Sequence, residues 1–322
     1  MSPPRAAVEE EEKKEEEMPE PTFTSRASSK QLRRPEPKPV LMSQSSAISL
    51  DMKPSIRECS SNDLSARIIL VDDRKTAWRL SRFFDSQEDV RNIETSGVNH
   101  GFTGTYKEVP VTILCTGVGH QTLDFTVREL CLSLTQETVV VMRLGKCVSL
   151  SEQLRCGDIV VCTEFVRMIQ TNYDVLLQQN DVSPYFVTEG VRPDTDLPNF
   201  VADVLEEMLP KGDLTRGSMC SADSYYGSFG RESVMFADRN EYLLCDFIQE
   251  FGDCLALDQD TFTLYALSKI LQKRFYVASV GIVTEDAFGK FKSGPAEMAK
   301  TVENEIFSCV AALKTVSLFE PN

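Results

Sequence analysis

Residues 62–322 predict an α/β fold, a twisted mixed β-sheet flanked by helices, behind a charged extension over residues 1–61. Three observations carry this. Apolar runs of strand length recur with little polar alternation, so neither face of those strands meets water. Between them lie segments with apolar residues at helical spacing. The two kinds alternate along the chain, the pattern of a sheet covered by helices on both sides.

The elements follow in order. ARIILV at 66–71 reads as a short buried strand, and 74–84 has helical spacing. VPVTILCTG at 109–117 is a second apolar strand. The helix over 121–134 places Leu123, Val127 and Leu130 on one face. ETVVVMRLG at 137–145 and GDIVVCTEFVRM at 157–168 are the next strands, the latter long enough to bend. Helices are expected over 199–209, 241–251 and 260–271, a core strand over 275–283, and a closing helix over 296–313.

The first 60 residues differ in kind. Eight glutamates fall within positions 1–20, and 8 of the 15 prolines lie before residue 61. Such a composition buries too little apolar surface to offset its ordering entropy, so it predicts a solvated tail or a segment that orders along a protein partner. The net charge of −15 repels nucleic-acid phosphates and anionic lipid, so neither is expected as a partner. Ten cysteines stand singly, without a C-x-x-C pair, and there are two histidines, His100 and His120, so no metal site is expected. No apolar run approaches 18 residues. The expected location is intracellular and cytoplasmic, with cytoskeletal association open to the charged extension.

Four motifs bear on chemistry, each with a structural reading beside the functional one. Gly117-Val-Gly119 ends a strand and opens a helix, a turn that cradles an anion on backbone N–H groups or simply packs. Arg143 ends an apolar strand, where a cation needs either a carboxylate or an anionic ligand. The loop at 217–232 ends in Arg231 after Tyr225, Tyr226 and Phe229; it suits clamping a flat ring or packing at the surface. Asp260 opens a helix and would serve as its N-cap.

Five segments, taken in order, resemble the nucleoside phosphorylases, in particular the uridine phosphorylase branch. They are VTILCTGVGHQTLDFTVREL (111–130), VVVMRLGKCVSL (139–150), CGDIVVCTEFV (156–166), SMCSADSYYGSFGR (218–231) and CLALDQDTFTLYAL (254–267). The resemblance spans nearly all of the predicted domain. It implies a homodimer or larger assembly with the active site at the subunit interface. It also implies cleavage of a glycosidic bond with inorganic phosphate as co-substrate and no other cofactor. Arg143 then matches a phosphate-binding arginine, with Lys146, Arg74 and His100 (the last lent by a neighbouring subunit) as further phosphate ligands. Arg231 matches the arginine at the base edge, Asp260 a ribose-binding carboxylate, and Phe229 and Gln259 lie at nucleoside-contacting positions. Glu285 falls where purine-cleaving relatives carry an acid, which makes Arg231 and Glu285 the catalytic candidates.

The departures from that pattern are large. The first phosphate loop reads LVDDRKTAWRL, without glycine, and Asp72 and Asp73 oppose an anion. Phe229 replaces a glutamine, which removes a bidentate contact to the base. Loss of that contact and of one phosphate cation costs about 3–6 kcal/mol of transition-state binding, roughly two to four decades in rate. The expectation is a catalytically weak or inactive relative acting as a structural or interaction subunit. The alternatives are an active phosphorylase of shifted specificity and a nucleoside-binding sensor.

Overall fold

The computed structural model of the protein describes residues 64–94, 100–178, 181–193, 196–289 and 294–321. The 1–61 extension lies outside the described residues. Ten strands form one mixed sheet in the order β10-β6-β8-β9-β5-β1-β4-β3-β2, with β7 beside β6. β10 (Arg274–Asp286) also pairs with β5 (Thr138–Ser149). This second pairing joins β5, β10, β6 (Ile159–Thr171), β8 (Leu214–Ala222) and β9 (Cys254–Asp258) into a closed ring. β1 (Arg67–Val71), β4 (Val109–Cys115), β3 (His100–Tyr106) and β2 (Arg91–Glu94) extend from β5 as an open wing.

Side-chain alternation explains the unbroken apolar runs. On β1, Ile69 and Val71 enter one core, while Ile68 and Leu70 enter another on the opposite face. β5 divides in the same way: Val140, Met142 and Leu144 face the first core, Val139 and Val141 the second. The first core is closed by α1 (Arg74–Ser81), α4 (Leu197–Glu206) and α7 (Pro295–Leu318). The second is closed by α2 (His120–Ser133) and α6 (Thr261–Ile270). A third cluster lies where α5 (Leu243–Glu250) packs Leu244 and Phe247 against Ile169, Cys220 and Leu257.

Several boundaries move from expectation. α1 ends at Ser81 rather than at 84, because the N–H groups of Arg82, Phe83 and Phe84 bond three residues back and tighten the chain into a turn. β5 runs to Ser149 because β9 and β10 both continue its pairing. α4 spans Leu197–Glu206, earlier than expected, with Pro198 in its first turn. α7 begins at Pro295 and continues to Leu318. The β2–β3 hairpin, the short helix α3 (Tyr173–Leu177) and β7 (Tyr185–Val187) carry no clear sequence signal.

The turn from β3 to β4 is built on an unusual pair. Lys107 and Glu108 both have positive φ, at 50° and 66°, the backbone of a two-residue hairpin turn that glycine and asparagine normally supply. The Asp85 carboxylate accepts both N–H groups at 2.8 Å and holds the strained backbone in place. Those two bonds lower the Asp85 pKa.

Within the ring, fully buried Tyr265 of α6 donates its hydroxyl to the Cys162 carbonyl at 2.7 Å, tying helix to strand. Tyr265→Phe keeps the ring but orphans that carbonyl. A loss of about 1–2 kcal/mol is expected, read as a lower urea midpoint with an unchanged slope.

Candidate active site

Alternation along β5 puts Arg143 on the same face as Val139 and Val141, toward α2 and α6, where no water reaches it. The guanidinium is 2 % exposed, and burying a cation at that depth requires compensation. Three carboxylates provide it. Nη1 donates to Asp258 Oδ2 at 3.0 Å; Nη2 donates to Asp260 Oδ2 at 2.8 Å and to Asp72 Oδ1 at 3.0 Å. Each acid comes from a chain end at one edge of the sheet: Asp72 follows β1, Asp258 ends β9, and Asp260 precedes α6. Gly145 is required beside them, because a Cβ there would fall on the Arg143 guanidinium.

The remaining carboxylate oxygens are also engaged. Asp72 Oδ2 accepts the Lys146 N–H at 2.7 Å, and Asp260 Oδ1 accepts the Gly119 N–H at 2.9 Å. Asp258 Oδ1 accepts the Ser221 hydroxyl at 2.6 Å and the Asp260 and Thr261 N–H groups at 3.2 Å. The Thr261 hydroxyl closes the network, donating to Asp258 and lying 2.7 Å from Ser279 Oγ. The helix N-terminus is therefore capped by Asp258. Asp260 occupies the N-cap position without bonding to the helix, contrary to the expectation for it, because its carboxylate is drawn to Arg143. The anion cradle at Gly117-Val-Gly119 is likewise filled by a protein carboxylate.

Three acids around one cation leave an excess of negative charge. Burial pushes the Asp260 carboxyl up to about 7; Arg143 pulls the other way, and Asp72 and Asp258 add to the push. Asp72 is raised for the same reasons, burial first. The acids outweigh the effect of burial on Arg143 and raise its pKa, so it stays charged.

The other anticipated residues lie apart from this cluster. Lys146 directs its half-exposed ammonium at Asp73, 3.7 Å away, rather than at the Arg143 group. Arg74 and His100 both line a separate cavity between α1 and the paired strands β2 and β3. Arg231 donates to Glu285 Oε2 at 2.8 Å and stands over the rings of Tyr225 and Phe229, 4.6 and 5.0 Å from their centroids. Tyr225 and Phe229 stack at 5.9 Å, and Phe229 is buried in the third core. Gln259 is buried between the two cluster acids in sequence. In register, Glu285 lies opposite Val148, five residues along β5 from Arg143, about 16 Å of strand. Arg143 with Asp260 and Arg231 with Glu285 thus form two separate groups, set apart along the strand direction. Sequence reading missed Asp258 as a partner of Arg143. The signal was the Asp258-Gln259-Asp260 spacing, with two acids at the mouth of a buried strand. Among the described residues no group of three His, Cys, Asp or Glu is placed to hold a metal ion. Among them, too, no helix is long and apolar enough to cross a membrane.

The charge excess has a sign in pH. Asp260 ionises near 3.8 when unfolded and near 7 when folded, so between these values the folded state holds a proton that the unfolded state has released. Stability is then highest below about pH 4 from this group and falls as pH rises through about 7. Urea unfolding at pH 5 and pH 8 should differ by about 2–4 kcal/mol in that direction, and Asp72→Asn should flatten the difference by removing one repelling acid. The readout is the slope with pH, which a general loss of stability does not change.

Residues 67–313 match the family model described as the phosphorylase superfamily. A DeoD-type purine nucleoside phosphorylase of Bacillus cytotoxicus is 24 % identical over 262 residues, 77 % of this chain and 93 % of that protein. The homologue from Roseobacter denitrificans is 32 % identical over 101 residues, where the match spans 31 % of this chain and 41 % of the relative's length. Among solved structures, a uridine phosphorylase of the oomycete Phytophthora capsici superposes with a TM-score of 0.76 at 21 % identity, covering 83 % of this chain and 94 % of that one. A Trypanosoma brucei nucleoside phosphorylase superposes at 0.62 with 17 % identity, covering 80 % and 95 %. The fold is therefore that of the nucleoside phosphorylases, a mixed sheet flanked by helices, and the chain belongs to the phosphorylase superfamily.

Proposed function

We propose that this protein is a uridine-phosphorylase-like member of its family that has lost efficient phosphorolysis and serves as a structural or interaction subunit. One observation carries the reading: the Arg143 guanidinium is shared among Asp72, Asp258 and Asp260. The two nearby N–H groups suited to an anion, on Lys146 and Gly119, are also taken by these acids. A phosphate dianion entering there would displace Asp72 or lie beside it. One uncompensated carboxylate at ~5 Å from a dianion costs about 7 kcal/mol at an effective dielectric near 20. That is about five decades of affinity. Phe229, buried in the core, adds to the argument by filling space at the base end.

A second reading, an active nucleoside phosphorylase cleaving with inorganic phosphate, draws support from Arg231. It keeps a partly exposed guanidinium over two aromatic rings, a surface suited to a base edge. In that reading Glu285 acts as the acid and Arg143, Lys146, Arg74 and His100 as phosphate ligands, which requires Asp72 to move away.

Self-association is part of the proposal. Tyr173, Leu177, Val182 and Phe186 expose apolar surface on neighbouring segments, the kind of face that a second copy covers.

The two readings separate in a phosphorolysis assay with uridine, thymidine, inosine and adenosine in excess phosphate. Turnover at least about 1,000-fold below the ordinary enzymatic rate of roughly 10 s⁻¹ is expected for all four. Ordinary turnover of any one would establish the active enzyme instead.

A further inference from the structure

We infer that the outer face of α7 is a docking surface for the chain's own residues 48–56, a segment of the N-terminal extension outside the described residues.

The helix is apolar on two sides. Its inner side carries Cys309, Ala312, Leu313 and Val316 into the first core. On its outer side, Met298, Val302 and Ile306 are 60, 45 and 42 % exposed among the described residues. They stand four residues apart and so form a row along the helix, one side chain every ~6 Å. Ala296 and Ala299, also exposed, add no polar group beside the row, and Glu303 is the one exposed charge over 296–306. Scattered surface apolars are ordinary, but a row of three on a helix already packed on its other side is what a further layer covers.

The sequence supplies a matching edge. Ile48, Leu50 and Met52 stand at every second position, with Ser49, Asp51 and Lys53 between and after them. In extended form this alternation gives one apolar edge and one polar edge, and the apolar side chains repeat every ~6.6 Å. The two spacings agree to within ~10 %. Ile48, Leu50 and Met52 thus fall in turn on Met298, Val302 and Ile306, and the polar edge stays in water.

Reach and charge select this occupant. Arg67 donates to the carbonyls of Val316 and Phe319, which places the start of β1 beside the C-terminal end of α7. Ile306 lies ten residues back along the helix from Val316, about 15 Å. The twelve residue steps from Met52 to Leu64 span up to about 40 Å when extended, so Met52 reaches Ile306 with slack. Arg57 then falls toward the exposed Glu320, on a body whose residues 64–322 hold 37 acidic against 24 basic side chains. A second copy pairing α7 with α7 about Val302 would instead set two Glu303 carboxylates against each other. The covalent tether also keeps the segment at high effective concentration.

Limited trypsin digestion of the full-length protein, followed at the bond after Arg57, tests the assignment. A protease has to draw free chain into its cleft, so docking slows this cut. Val302→Asp with Ile306→Asp should speed it at least 10-fold. Ile48→Asp with Met52→Asp should speed it as much, and the four together should add no more. The second pair alters none of the described residues and so separates undocking from unfolding. Ile270→Asp, at an exposed position of α6, should leave the cut unchanged. A photoreactive benzoylphenylalanine at position 302 should crosslink to residues 48–56 of the same chain, with a yield independent of protein concentration. Unchanged cutting in either double variant, additive effects, faster cutting in Ile270→Asp, a crosslink to another chain, or no crosslink to residues 48–56 would each overturn the assignment.

Discussion

The structure depends on compensating one buried cation. Arg143 lies on the inward face of a central strand because β5 alternates strictly, and neither neighbour on that face can be exchanged for water. A lone guanidinium at that depth costs several kcal/mol, so the carboxylates of Asp72, Asp258 and Asp260 have to be present with it. They come from the ends of β1 and β9 and the start of α6, and Gly119 at the start of α2 bonds one of them. One cation therefore fixes the relative positions of three strands and two helices. The value of such a network lies in specifying one arrangement, since an apolar replacement of the whole set could be as stable.

The same compensation decides the chemistry available. Three acids exceed the charge they neutralise, and the chain answers with hydrogen-bond donors: the hydroxyls of Ser221 and Thr261 and the N–H groups of Gly119, Lys146, Asp260 and Thr261. These explain why Ser221, Thr261 and Ser279 are buried in an otherwise apolar core. Donors committed in this way are unavailable to an incoming anion. The excess also makes the cluster a proton acceptor near neutral pH, which couples stability to pH.

Much of the fold was legible because burial writes itself into composition. The runs at 66–71, 109–117 and 137–145 are apolar on both faces, which only a doubly covered sheet requires. What escaped has physical reasons. The β3–β4 hairpin runs from HGFTGTY through a Lys107-Glu108 turn; its positive φ values are held by Asp85, more than twenty residues back, so no local turn signal exists. Closure of the ring depends on β10 pairing with β5 over a separation that periodicity cannot register. At the site, the sequence left Arg143 between a salt bridge and an anionic ligand. Only the spatial convergence of Asp72 and Asp258 resolved this, one of them close to 70 residues upstream and the other more than 110 downstream. The resemblance named Arg143, Asp260, Arg231 and Glu285 from position alone, and could not show that they would pair within the molecule.

That internal pairing differs between the two groups. Arg143 and Asp260 are each almost wholly buried, so competition from a ligand would have to break a network with no water to replace it. Arg231 and Glu285 are partly exposed, and an exposed ion pair contributes little, typically under about 1 kcal/mol. One cluster is thereby sealed by its own carboxylates, while the other pair stays within reach of solvent.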